Sequence, residues 1–125
     1  MADRDALRIG DLAARTGLSR DALRYYERLS LMAPIRRTSG GFRVYPADTI
    51  DRIRFIKQAQ KHGLSLGEIR ELLRFQDRKG SERCRQVQRL LTRKVAELDD
   101  QVMQLQEFQR TLRGYLAQCE RTQAQ

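Results

Sequence analysis

Arg20, Arg24 and Arg28 recur at four-residue intervals in the segment TGLSRDALRYYERLSL, residues 16–31. Four-residue spacing puts all three guanidinium groups on one face of a helix. Tyr25 and Tyr26 stand among them, and these two neighbours cannot both be buried, so one phenol is expected at the surface. Such a face can attract phosphates through cations whose pull salt weakens, with a rigid hydroxyl at its edge. It can equally be a solvated surface that binds nothing acidic. A second chemistry lies in Cys84 and Cys119, 35 residues and so five heptads apart, on one stripe of any helix that joins them. Thiolates suit soft divalent ions. A cysteine on such a stripe is also often a small buried hydrophobe.

The chain that must position these groups has 125 residues, enough for one domain, or one small domain and an extended element. Hydrophobic residues make up 40% and aromatics 6%, which supports a modest core. No apolar run reaches about 18 residues and no signal-peptide pattern opens the chain. A soluble, cytoplasmic protein with no membrane partner is therefore expected. Two distant cysteines give no disulfide framework. Residues 1–75 hold 15 Lys/Arg against 9 Asp/Glu, so this part carries +6 of the net +9. That asymmetry favours a polyanionic partner, most often nucleic acid. With one histidine, no Ser/His/Asp set and no glycine-rich phosphate loop, an enzyme is not expected.

The elements are almost all helical. Ile9, Leu12, Ala13 and Thr16 mark a short amphipathic helix that Gly17 ends, and Ser19 is a natural N-cap for a second helix to about Leu29. Two short helices joined by GLS form a helix-turn-helix pattern. In IRRTSGGFRVYP (35–46) glycines at a turn predict a two-strand hairpin, a wing with three arginines. Being too small to stand alone, it is expected to lean on the helices through Phe42 and Val44, with its arginines outward. Pro46 is expected as the first residue of a third helix with Ile50, Ile53, Phe55 or Ile56, and Ala59 on its apolar face, closed by His62-Gly63. SLGE (65–68) reads as a capping box that opens a fourth. His62 is a helix-end residue in this reading. From Glu82 to about Cys119, Val87, Leu91, Val95, Leu98, Val102, Leu105, Phe108, Leu112 and Leu116 recur every three or four residues. A heptad seam of that length needs a partner helix, and a second copy of the chain is the expected one.

LRIGDLAARTGLSRDALRYYERLSLM, RRTSGGFRVYPADTIDRIRFIKQAQKHGLSLGEIRELL and the long terminal helix together resemble the MerR family of bacterial transcription regulators. The RYYE helix, the GGFRVY wing and the GLSLGEIRELL segment carry the likeness, which runs from about Leu7 to Cys119. The resemblance implies a mainly α fold: a winged helix-turn-helix DNA-binding domain followed by a long antiparallel coiled-coil dimerisation helix. Expected boundaries are 1–76 for the DNA-binding part, 77–81 for a linker, 82–119 for the dimerisation helix and 120–125 for a short tail. It also implies a homodimer on double-stranded promoter DNA that bends and untwists it when an effector arrives, with RNA polymerase holoenzyme an indirect partner. Within it, the second helix enters the major groove with Arg20 and Arg24 at bases or phosphates. Tyr26, Arg36, Arg37, Arg43 and Tyr45 are then expected at the DNA backbone, and Arg15, Ser19, Tyr25, Gly41 and Phe42 complete the expected DNA-binding set. Tyr25 is the tyrosine expected to lie partly in the core.

The effector follows from the same resemblance. On one straight helix Cys84 and Cys119 lie about 52 Å apart, too far to share an ion within a subunit. In an antiparallel dimer each would approach the other's counterpart across the two chains. Mercury-, lead-, cadmium- and zinc-sensing members carry cysteines at the two matching positions, whereas copper-type members have serine at the first. The expected cofactor is accordingly a soft divalent ion held by Cys84 and Cys119 of opposite subunits. A further loop cysteine of those sensors has no counterpart in the terminal CERTQAQ, and two thiolates suit linear mercury better than four-coordinate zinc. A sensor of thiol oxidation or electrophiles, and an effector-independent architectural DNA-binding protein, stay open as alternatives.

Overall fold

A helix start leaves N–H groups free, and two helices of this chain begin where a serine supplies an acceptor for one of them. The computed structural model describes residues 6–34, 36–78 and 84–124, in the order α1 (Ile9–Thr16), α2 (Arg20–Arg28), β1 (Arg36–Arg37), β2 (Arg43–Val44), α3 (Thr49–Lys61), α4 (Leu66–Arg78) and α5 (Cys84–Ala124). It divides into two compact units, residues 1–79 and 80–125. Asp11 accepts the Arg8 N–H at 3.0 Å at the start of α1. Gly17, at φ +76°, turns the chain out of that helix while its N–H donates to the Ala13 carbonyl. Ser19 Oγ accepts the Ala22 N–H at 3.1 Å and so starts α2 as expected. Both arms of the expected capping box are formed at α4: the Glu68 N–H donates to Ser65 Oγ at 3.1 Å, and the Ser65 N–H donates to Glu68 at 2.9 Å.

Leu12 of α1, Leu23 of α2, Ile53 and Ile56 of α3 and Ile69 and Leu73 of α4 are buried together with Leu31 and Met32. These positions supply the helical spacing of three and four that makes one face of each helix apolar. Polar ties reinforce the packing at its edges. Tyr26 donates its hydroxyl proton to Gln60 Oε1 of α3 at 2.7 Å, and Lys57 Nζ donates to the Thr16 carbonyl at 2.7 Å.

The wing is an antiparallel pair with Arg36 opposite Val44 and Arg37 opposite Arg43. At its tip Gly41 sits at φ +85°, where a side chain would be strained. Its anchor differs from the expected one. Val44 is buried as expected, but Phe42 is 56% exposed, and the second anchor is Tyr45, 1% exposed. Phe42 lies in the turn, ahead of β2, so strand alternation does not carry it inward. Tyr45 is held by a two-bond bridge in which the Leu7 N–H donates to its carbonyl at 2.8 Å and its own N–H donates to the Leu7 carbonyl at 2.7 Å. Pro46 is likewise not the first residue of α3: its carbonyl accepts the Thr49 N–H in a turn, and the helix begins at Thr49. Residues 47 and 48 are needed to swing the chain from the Tyr45 bridge onto the α3 axis.

In the second unit α5 runs unbroken from Cys84 to Ala124, so residues 120–124, expected as a tail, are helical. Of the expected linker, residues 77 and 78 belong to α4, while 79–81 lie outside the described residues, as does Glu82. Leu91, Val95, Leu98, Val102, Leu105, Phe108, Leu112 and Leu116 are all at least 36% exposed along this helix. No helix among the described residues is long and apolar enough to cross a membrane.

Replacement of Leu12 by Ala is expected to cost about 3 kcal/mol, because it empties the contact among α1, α2 and α3. Urea unfolding followed by circular dichroism checks this, the expected result being a lower midpoint for the first unit.

Candidate nucleic-acid interface

Between α1, α2 and the wing lies an open cleft of about 580 Å³. Arg20 and Arg24 of α2 line it on one side, Arg37 and Arg43 of the wing on the other, and Arg8 at its end. Gly10 forms part of the floor: a Cβ there would stand 2.9 Å from Arg20 Nη2. Five guanidinium groups thus converge around a space whose one lining carboxylate is Asp11, itself occupied in capping α1. Arginine offers a planar fork of five donors, the geometry that phosphates and guanine edges accept in pairs.

The individual arginines are held to different degrees. Arg24 Nη1 lies 3.5 Å from Asp21, with both groups exposed, an ion pair that contributes little and leaves the guanidinium free to turn. Arg37 Nη1 donates to the Gly41 carbonyl at 3.3 Å across the wing turn. Arg8 lies over the Phe42 ring at 4.5 Å, which gives exposed Phe42 a partner. Arg28 stacks similarly on Tyr25 at 5.7 Å. Arg43 is exposed, as expected of the wing arginines, and its Nη1 donates to Glu27 of α2, the residue that also accepts the Tyr45 hydroxyl.

The cleft brings together Arg20, Arg24, Arg37, Gly41, Phe42, Arg43 and Tyr45 of the expected set. Arg36 faces a smaller recess beside Thr38 and Ser39. Arg15 is exposed at the end of α1, and Ser19 is spent as an N-cap. The two tyrosines exchange roles. Tyr25, expected partly in the core, is 45% exposed, while Tyr26, expected at the DNA backbone, is 6% exposed and bonded to Gln60. Tyr26 lies three residues after buried Leu23 and so shares its inward face, whereas Tyr25 follows Arg24 outward. Tyr45 also leaves the set of free surface hydroxyls, since its ring is buried and its proton is given to Glu27. Arg8 was missed. Its signal in the sequence was charge alone, because its approach to the wing depends on the Leu7–Tyr45 bridge.

Two phenols are perturbed by these surroundings. Burial raises the Tyr26 pKa. Tyr45 is pushed up to about 12, first by burial and then by its hydrogen bond to Glu27 and that carboxylate's charge, with Arg43 opposing.

The chain's relatives decide what such a head is for. The MerR HTH family regulatory protein pattern matches residues 7–76, and the MerR, DNA binding pattern matches residues 50–115. The chain is a member of the MerR family. Its sequence is 36% identical over 112 residues to the mercuric resistance operon regulatory protein of Bacillus cereus, spanning 90% of this chain and 84% of that one. It is 35% identical over 112 residues to the HTH-type transcriptional regulator ZntR of Escherichia coli strain K12, spanning 90% and 79%. The crystal structure of the transcription regulator PbrR691 from Ralstonia metallidurans CH34 in complex with lead(II) superposes with a TM-score of 0.62 at 29% identity, over 85% of this chain and 82% of that one. MerR-family membership makes this chain a DNA-binding transcription regulator and not an enzyme, as its residue inventory led one to expect.

Two outcomes follow from the tyrosines of this MerR-family head. Tyr45 stays neutral when folded up to about pH 12, against about 10 in an unfolded chain. The stability it contributes is therefore complete below about pH 10 and is lost as pH rises toward 12. Tyr45→Phe is expected to flatten that alkaline loss, read as unfolding midpoints across the same pH range. Tyr26→Phe leaves Gln60 without its donor and is expected to lower stability by about 1 kcal/mol. Affinity for DNA should hold steady in that variant, measured by fluorescence anisotropy on a labelled duplex.

Proposed function

We propose that this MerR-family regulator places α2 in the major groove and its wing along the adjacent DNA backbone, and that a soft divalent metal is its effector. The convergence of five arginines on one cleft carries the DNA reading. Arg20 and Arg24 lie on the helix face that addresses bases or phosphates. Arg8, Arg36, Arg37 and Arg43 supply backbone contacts, Arg15 adds charge at the end of α1, and Tyr25 offers the exposed hydroxyl. Activation consists of bending and untwisting promoter DNA, so that RNA polymerase holoenzyme meets a promoter it otherwise reads poorly.

Two chains pair through α5 in an antiparallel homodimer. The apolar seam from Leu91 to Leu116 supports this, since an exposed stripe of that length is buried in coiled coils. The effector reading rests on the thiols. Cys84 and Cys119 are free and exposed, and one continuous helix separates them by about 52 Å, so a single chain supplies no ion with two sulfurs. No group of three or more His, Cys, Asp or Glu side chains is gathered among the described residues. Sulfurs from opposite subunits fit a soft ion content with two thiolates, and less well one that requires four ligands. The metals named for the mercuric and lead(II) relatives belong to that soft class.

Arg24→Ala is expected to weaken binding to a duplex selected by the wild type from a random library by about 10- to 100-fold, with helicity unchanged. Unaltered affinity at physiological salt would remove α2 from the groove. For the effector, reduced wild-type protein titrated with mercury, lead, cadmium and zinc salts is expected to bind at least one of them. Cys84→Ser is expected to abolish that binding in isothermal calorimetry; affinity indifferent to this change excludes the thiol site.

A further inference from the structure

Glu27 is an acid placed where the interface gathers cations. It sits on α2, one helical turn beyond Arg24, with its side chain 15% exposed. Its two carboxylate oxygens are divided between two wing residues: Oε2 accepts from Arg43 Nη1 and Oε1 accepts the hydroxyl proton of Tyr45. Each of these spans at least 16 residues of sequence. A carboxylate among arginines that meet phosphate opposes DNA binding by its charge, so its presence asks for a compensating role. The wing supplies it. Strands of two residues each do not hold their own position, and the paired strands Arg36–Arg37 and Arg43–Val44 carry the cations that flank α2.

We propose that Glu27 is a positioning residue for DNA recognition, a brace that sets the distance between the wing arginines and the reading arginines of α2. It rests on the groove assignment proposed above. The brace uses one N–H of Arg43 and leaves the other guanidinium donors for a phosphate. Arg43 is thereby fixed in the place where a phosphate must lie when Arg20 and Arg24 are in register with their bases. Glu27 weakens attraction to DNA of any sequence and strengthens preference for the right one. Specificity is a difference of affinities, and a repulsive group can raise it.

The test is Glu27→Gln, which keeps an acceptor for Tyr45 and removes the charge that holds Arg43. Affinities are measured for two duplexes of one length, the first enriched by the wild type from a random library, the second of scrambled sequence. In the variant the scrambled duplex is expected to bind about threefold tighter, and the ratio between the two duplexes to fall about tenfold. The dependence on salt for the scrambled duplex should steepen by about one released ion. Equal tightening on both duplexes would show Glu27 to be a charge and nothing more, and equal weakening on both with lowered stability would show a structural role; either overturns the brace. Where Glu27→Gln does not fold, Tyr45→Phe removes one arm and keeps the ion pair: a ratio lowered about threefold supports the brace, and an unchanged ratio overturns it. A wild type that enriches no duplex removes the groove assignment and the brace together. A wild type that prefers its duplex, beside a variant of equal preference, removes the brace alone.

Discussion

The arrangement of the DNA-binding head depends on how a hairpin too small to be stable is fastened to three helices. Tyr45 provides the fastening. Its backbone forms a two-bond bridge with Leu7, its ring is buried, and its hydroxyl reaches Glu27 on α2. A pair of two-residue strands gains little from its own hydrogen bonds, so the wing takes its position from this residue and from buried Val44. The cleft is a consequence. Were the wing free, Arg37 and Arg43 would be loose cations, and their attraction to a polyanion would carry no geometric information.

That dependence explains which parts of the fold were legible in the sequence. Local features were readable because their causes are local: the Ser19 cap, the Gly17 reversal and the Ser65–Glu68 box each lie within four residues. The stripe from Leu91 to Leu116 was equally plain, since periodicity over many turns leaves little room for another reading, although Val87, its expected first member, is buried. The wing anchor was not. Hydrophobicity pointed to Phe42, but a residue in a turn is outside the strand alternation that would have turned it inward, and its partner proved to be the Arg8 guanidinium. The roles of Tyr25 and Tyr26 were available in principle. Counting from Leu23 puts Tyr26 on the inward face, a step that the cationic character of the segment obscured. Glu27–Arg43 and Leu7–Tyr45 join residues 16 and 38 apart, and nothing in either pair's neighbourhood announces the other.

The candidate site divides along the same line. Arg20 and Arg24 were found from a spacing of four, a helical signal that survives any tertiary context. Arg8 required knowledge of where the chain returns. The thiols present the reverse case: one continuous helix determines their spacing and so keeps the two sulfurs of a single chain far apart. That helix leaves both thiols exposed, with an exposed apolar stripe between them. Propensity alone sustains an isolated helix poorly in water, so the burial of that stripe by a partner is what would make 41 helical residues stable.

One further contact lies at the far end of α2, away from the wing. Arg52 of α3 donates Nε to the Leu31 carbonyl, in the turn that follows α2, and donates Nη1 and Nη2 to the two oxygens of Asp77 at 3.0 and 3.2 Å. Asp77 belongs to the final turn of α4, the last element before the chain continues toward α5. The guanidinium is rigid and planar, so its three bonds cannot lengthen independently. A displacement of the α4 end must either break the paired bonds to Asp77 or be passed to the backbone at Leu31. The end of α4 and the end of α2 are thus tied by a single side chain that bypasses the apolar core. Leu31 lies in the turn that follows α2, so Arg52 gives α2 an attachment at the end remote from its Ser19 cap.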